Sequence, residues 1–159
     1  MVYFSTKISN MTTIEVGDKA PNFKGIDQDG NEHKLADYKG KKLVVFFYPK
    51  ASTPGCTAEA CNLRDNWKHF QAKGYEIVGV SADSAKRQQN FKNKYELPFP
   101  LIADEEKEVI NAFGVWGPKK FMGKEYDGIH RTTFVIDETG KIENVIKKVK
   151  TKAHTEQIL

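Results

Sequence analysis

Cysteine is scarce in this chain: Cys56 and Cys61 are the two in 159 residues. That excludes the disulfide-stapled scaffold of a small secreted domain. In a reducing compartment such a pair is reactive rather than structural. Long apolar runs are missing as well. The longest, Leu43-Val44-Val45-Phe46-Phe47-Tyr48, has strand length and falls far short of the ~18 residues of a membrane span. Residues 1–10 lack the apolar core and cleavage site of a secretory signal. They are expected to form a flexible extension ahead of a single domain over 11–159, and Met11 could itself serve as a start. With no address signal in view, the expected location is the cytoplasm of a bacterial-type cell; a processed organellar form is also compatible. Repeats and low-complexity stretches are absent too.

Metal-ligand clusters are likewise missing. His33, His69, His130 and His154 are scattered, and no second cysteine pair completes the four ligands of a structural zinc site. Charge of one sign does not dominate: 25 basic against 21 acidic residues leave a net charge of +4. The lysines are spread, apart from Lys39, Lys41, Lys42 and the run Lys147, Lys148, Lys150, Lys152. They read as solvated faces, so neither nucleic acid nor membrane is expected as a partner. What is there is an ordinary globular balance, 39% apolar and 29% charged, in a chain long enough for one real core.

Asp29-Gly30 between Asn22–Asp27 and Glu32–Leu35 predicts an N-terminal hairpin. Lys42–Tyr48 is a continuous apolar run ended by Pro49, which predicts a central strand buried on both faces. Thr53 is a good N-cap with Pro54 at N1, and Cys56, Ala60, Leu63, Trp67 and Phe70 recur at helical spacing up to Gly74. A helix of about five turns is predicted from Thr53. Tyr75–Ser81 reads as a second buried strand, Ser84–Tyr95 as a helix, Pro98–Ala103 as a short strand and Glu105–Phe113 as a helix. Gly114–Gly128 reads as an irregular loop. Its Trp116, Phe121 and Tyr126 either line a functional surface or cover a core edge. Arg131–Ile136 and Lys141–Val149 form a hairpin about Glu138-Thr139-Gly140, and His154–Leu159 begins a last helix. Strands alternating with helices, then a closing hairpin, give an α/β domain of thioredoxin-like architecture, with a central mixed β-sheet flanked by helices.

The helix start bears on Cys56. With Thr53 as N-cap, Cys56 sits at N3, where the amides of the first turn lack intrahelical partners and the macrodipole is positive. Both favour the thiolate, which is the nucleophilic form. Cys61 lies five residues on. In an ideal helix its Cα is about 8–9 Å from that of Cys56, beyond the ~7 Å reach of a disulfide. The two sulfurs can therefore join only after the first turns unwind, and fraying a helix end costs far less than global unfolding. This suits a two-step reaction: Cys56 is oxidised to a sulfenic acid, and Cys61 then condenses with it.

Pro49-Lys50-Ala51-Ser52-Thr53-Pro54-Gly55-Cys56 resembles the P-x-x-x-T-x-x-C pattern of the peroxiredoxins, with Glu59 three residues later. The C-x4-C spacing is similar to the bacterioferritin co-migratory protein, or peroxiredoxin Q, subfamily. The likeness extends from Val16-Gly17-Asp18 through Asn62-Leu63-Arg64-Asp65 and Phe113-Gly114-Val115-Trp116-Gly117 to His130-Arg131-Thr132-Thr133-Phe134. It implies a thioredoxin fold and reduction of hydrogen peroxide and organic (alkyl) hydroperoxides. It further implies recycling by thioredoxin or a glutaredoxin-like dithiol donor, and no metal, haem or flavin cofactor. A monomer is expected. By position, Cys56 would be peroxidatic and Cys61 resolving, Thr53 would hydrogen-bond the peroxide, Pro49 would shield the pocket, and Arg131 would face the thiolate. Glu59 and Gly55 would have supporting roles. The chain stops at Leu159, a short way into a last helix that runs longer in such relatives.

Two other readings compete. A thioredoxin-like protein disulfide oxidoreductase normally uses C-x-x-C, where the second thiol is in reach without unwinding. A non-enzymatic basic binding protein rests only on the lysine run at 147–152.

Overall fold

The computed structural model describes residues 12–159. The extension expected over 1–10 lies outside them, as does Met11. The chain opens with an antiparallel hairpin, β1 (Lys24–Ile26) and β2 (Glu32–Lys34). Asp27 closes its turn: Oδ1 accepts from the amides of Asp29 and Asn31 at 2.9 and 3.0 Å, and Oδ2 lies 2.7 Å from His33 Nε2. A 3₁₀ turn over Leu35–Tyr38 then leads into β3 (Lys42–Phe47).

The central sheet has five strands in the order β5-β4-β3-β8-β9. Its parallel half is β3, β4 (Tyr75–Ser81) and β5 (Leu101–Ala103). Its antiparallel half is β8 (Thr132–Ile136) and β9 (Ile142–Ile146). Because β3 is central, both of its faces are buried, as its unbroken apolar run requires. Leu43, Val45 and Phe47 point to one side and pack with Phe23, Phe113 and Phe134. Val44, Phe46 and Tyr48 point to the other, against residues of α1 (Pro54–Asp65), α2 (Trp67–Ala72) and α3 (Ala85–Lys94). Fully buried rings such as Phe47, Phe113 and Phe134 each contribute about 1.5–3 kcal/mol by leaving water. Glycine at position 79 on β4 makes room for its neighbours, since a Cβ there would come within 2.9 Å of the Phe46 ring and 2.8 Å of Leu101, and these buried side chains would have to shift. Helices α4 (Glu108–Ala112) and α5 (His154–Ile158) complete the layers. Among the described residues no helix is long and apolar enough to cross a membrane.

Two expectations are corrected. The predicted five-turn helix is broken at Asn66, which caps α1 and opens α2 with φ −110° and ψ 15°. The Asn66 side chain donates to the Asn62 carbonyl at 2.8 Å, and this local bond competes with a continuous ladder. The stretch read as an irregular loop, Gly114–Gly128, contains most of an antiparallel hairpin of β6 (Trp116–Phe121) and β7 (Lys124–Ile129). Its turn residues Met122 and Gly123 both take positive φ, 53° and 80°. That is turn geometry usually signalled by Asn-Gly, and Met-Gly gives no such cue.

Candidate active site

The segment between β3 and α1 is built to present one sulfur. The Ala51 amide donates to Asp83 Oδ2 at 2.7 Å, and the same oxygen accepts from Ser81 Oγ at 2.7 Å, so the loop is pinned to the end of β4. Ser52 takes a left-handed φ of 66°, an uncommon conformation for a residue with a Cβ, and turns the chain towards the helix. Thr53 follows as N-cap with Pro54 at N1, as the sequence predicts. The first bond of the ladder runs from the Thr57 amide to the Thr53 carbonyl at 2.8 Å, so the amides of Gly55 and Cys56 precede it. Cys56 thus sits in the first turn. Its thiol is free, with 1% of its surface exposed.

Arg131, just ahead of β8, closes over the sulfur. Its Nη2 is 3.3 Å from Cys56 Sγ, and its Nη1 donates to Glu59 Oε1 at 2.7 Å. One guanidinium therefore spans two side chains a turn apart on α1, which the rigid fork of arginine allows and a lysine would not. Burial works against the charge of Arg131, yet Cys56 and Glu59 beside it hold it firmly cationic. Gly55 makes the approach feasible: a Cβ there would stand 3.2 Å from Nη2. Burial pushes the Glu59 carboxyl up to about 7, and Arg131 pulls the other way. A second cation is near. Lys119 on β6 donates to the Ile129 carbonyl at 2.8 Å; burial and then Arg131 lower its pKa, and Cys56 opposes them.

The structure brings Cys56, Gly55, Glu59 and Arg131 together. Thr53 differs in detail from the expectation. Its hydroxyl makes no capping bond and donates instead to the Lys50 carbonyl at 2.7 Å. With that proton committed, Thr53 Oγ1 can only accept from a bound molecule. Pro49 ends the strand half-buried, and among the described residues no hydrogen bond ties it to the network around the sulfur. Cys61 is half-buried on the same unbroken helix, and its thiol is free. Burial pushes that thiol up; Arg64 pulls it down and Asp65 pushes it further up. Trp116 packs on the core edge, while Phe121 and Tyr126 are exposed.

Three participants escape a reading of the sequence. Asp83 anchors the loop. Asn62 binds α5: its Oδ1 accepts from the Thr155 amide at 2.8 Å and its Nδ2 donates to the Lys152 carbonyl at 3.1 Å. His154, fully buried at the start of α5, has its Nε2 3.4 Å from Glu59 Oε2. Nothing in the residues around His154 signals this, because its partner is remote in the chain. Among the described residues no group of three or more His, Cys, Asp or Glu stands close enough to hold a metal ion.

The AhpC/TSA family model matches residues 16–145. The chain is 47% identical over 149 residues to peroxiredoxin Bcp of Escherichia coli, covering 94% of this chain and 96% of that one. It is 48% identical over 147 residues to peroxiredoxin Bcp of Bacillus subtilis, covering 92% and 94%. Among solved structures, a mutant of Xylella fastidiosa PrxQ superposes with a TM-score of 0.86 at 30% identity, covering 92% of this chain and 94% of that one. A structure of the Xanthomonas campestris bacterioferritin comigratory protein, described in terms of that protein's alkyl peroxide reduction activity, gives 0.82 at 33%, with the same coverage. A free cysteine in the first turn of a helix, an arginine laid against it and these likenesses converge: the chain belongs to the AhpC/TSA family, among its peroxiredoxins of the Bcp/PrxQ kind.

Proposed function

We propose that this chain reduces hydrogen peroxide and alkyl hydroperoxides with Cys56 as nucleophile. The observation that carries the reading is the 3.3 Å contact between Arg131 Nη2 and Cys56 Sγ at the start of α1. The guanidinium supports the thiolate and polarises the peroxide. The Cys56 thiolate attacks one peroxide oxygen, the O–O bond breaks, and the leaving oxygen departs as alkoxide or hydroxide and takes a proton. Arg131 and the free first-turn amides stabilise the charge on that oxygen, and Thr53 Oγ1 accepts the hydrogen bond that orients the substrate. Cys56 is left as a sulfenic acid.

Cys61 then resolves it. Once α1 unwinds through its first turns, the Cys61 thiol gives up its proton and attacks Cys56 Sγ, the S–O bond breaks, the leaving hydroxide takes up a proton to become water, and a disulfide forms. A dithiol donor, thioredoxin or a glutaredoxin-like protein, restores both thiols. Two cysteines in 159 residues, too few to staple a secreted domain, support work in a reducing cytoplasm.

The disulfide oxidoreductase reading fares worse. Cys56 has 1% of its surface exposed, which admits a small peroxide more readily than the disulfide of a folded protein. The test is NADPH oxidation with thioredoxin, thioredoxin reductase and peroxide. Wild type should turn over and Cys56→Ser should not. Cys61→Ser should form one sulfenic acid per chain and then stall. Full activity in Cys56→Ser would sink the reading.

A further inference from the structure

We propose that Glu59 and His154 jointly hold one proton behind Arg131, and that this proton leaves the guanidinium's charge to the Cys56 sulfur. The inference rests on the reading of Cys56 as nucleophile and adds His154 as a positioning residue that touches no substrate.

The hydrogen-bond pattern around Glu59 Oε2 argues for the proton. Gln157 Oε1 accepts from the Lys150 amide at 2.9 Å, and Gln157 Nε2 donates to the Lys148 carbonyl at 2.9 Å, which fixes the orientation of that amide. His154 Nδ1 lies 2.8 Å from the same Oε1, so Nδ1 carries hydrogen. In the neutral ring Nε2 is then a lone pair. Thr133 Oγ1, 2.7 Å away, can donate its hydroxyl to Nε2, and Glu59 Oε2 is 3.4 Å from the same nitrogen. That carboxylate oxygen is buried and has no hydrogen-bond partner among the described residues. An ionised Glu59 would leave Oε2 facing a lone pair with no donor of its own, at a cost that buried acceptors rarely meet. One added proton between the two atoms satisfies Oε2. It can reside on Oε2 and point at Nε2, or on Nε2 and point at Oε2; the pair titrates as a unit. Burial raises Glu59 to about 7 and lowers His154, which favours the proton on the carboxyl.

The charged and titratable groups facing the pair are few. Arg131 comes from ahead of β8 and Cys56 from α1, while Thr133 of β8 and Gln157 of α5 are neutral. Arg131 therefore lies between two potential anions. When the pair holds its proton, the guanidinium has one anion to satisfy, the thiolate. When the proton leaves, Glu59 competes for the same cation, and the thiolate is less favoured.

The experiment follows alkylation of Cys56 by iodoacetamide against pH, in a Cys61→Ser background, without peroxide. The parent should rise with pH less steeply than a single ionisation, because loss of the proton from the pair, with Glu59 raised to about 7, opposes formation of the thiolate. Glu59→Gln mimics the protonated pair and should follow one ionisation, with a rate at pH ~6 at or above the parent's. His154→Gln offers Oε2 a permanent amide donor and keeps Glu59 ionised. It should also follow one ionisation, with a rate at pH ~6 about tenfold lower, the effect of one charge at this range. Infrared spectra should show the carbonyl stretch of a protonated carboxyl in the parent and its loss in both variants. Equal slowing in the two variants, a parent with a single ionisation, or a His154→Gln profile matching the parent's would each overturn the inference. Should His154→Gln not fold, Glu59→Gln and the infrared band still decide. Peroxide turnover is not involved, so failure here is separable from failure of the peroxidase reading.

Discussion

The proposed Cys56–Cys61 disulfide requires α1 to come loose as far as Cys61, and the next residue, Asn62, is tied to the C-terminal helix. Replacing Asn62 by Ala removes two bonds: Thr155 amide to Oδ1 at 2.8 Å and Nδ2 to the Lys152 carbonyl at 3.1 Å. The first is partly buried and the second exposed, so together they are worth about 1.5–2 kcal/mol in the folded state. Neither survives when the helix lets go of α5. The variant should therefore populate the unwound form ~10–30-fold more, since 1.4 kcal/mol is a factor of ten. Global stability should fall by a similar amount. Rapid mixing of reduced protein with peroxide, quenched by alkylation, reads the step from sulfenic acid to disulfide. That step should accelerate by up to the same factor, with the peroxide step itself unchanged. Amide exchange at Cys61 and Leu63 should quicken in parallel. If Asn62→Ala loses the stability and still closes its disulfide at the wild-type rate, the release of α1 from α5 is not part of the resolving step.

Arg131→Met removes a charged hydrogen bond to the sulfur worth about 1.5–3 kcal/mol, so kcat/KM for peroxide should drop about 10–150-fold. Folding should suffer less than for most severed buried pairs, because Glu59, already raised by burial to about 7, takes up a proton once its cation is gone. Urea titration at neutral pH checks this second half. Gly55→Ala sets helix preference against the site. The methyl stabilises the helix by up to about 0.5–1 kcal/mol but meets Arg131 Nη2 at 3.2 Å, so the midpoint should hold or rise while kcat/KM falls several-fold. Equal activity would mean that the guanidinium has slack. The pH dependence of stability has a definite sign. Glu59 is raised from 4.5 to about 7 on folding, so its contribution is fully present below pH ~4.5 and lost as pH rises through ~7. The loss is on the order of 3 kcal/mol. Urea unfolding of Glu59→Gln at pH 5 and pH 8 should lack that decline.

What the sequence makes legible is local. Thr53-Pro54 marks the helix start because capping and the fixed φ of proline act within a few residues, and the position of Cys56 follows directly. The unbroken run Leu43–Tyr48 marks the central strand because burial on both faces leaves no room for alternation. Long-range pairings are illegible in the same terms. Arg131 reaches Cys56 across 75 residues of chain, and only the family likeness points to it. His154 meets Glu59 through no pattern at all. The Asn66 break turns on one side-chain bond to Asn62, and the β6–β7 hairpin on positive φ at Met122. Tertiary fit decides both. Thr53 lies between these cases: its position is legible, but the direction of its hydroxyl is set by the Lys50 carbonyl.

On the proposed mechanism the two thiols share a helix yet are ordered in time by where they sit on it. Cys56 occupies the first turn, where the ladder has not begun and a guanidinium lies 3.3 Å away. Cys61 lies inside the ladder, where burial pushes its thiol up and keeps it protonated. The proposed motion that brings Cys61 to the sulfenic acid would also take it out of that burial. Its sulfur becomes a better nucleophile as it comes within reach of its target. A spacing of two residues, with both thiols in reach of each other from the start, would permit no such order. On the same mechanism four intervening residues on a closed helix make resolution conditional on unwinding, and the Asn62 tie to α5 should set how long the sulfenic acid waits.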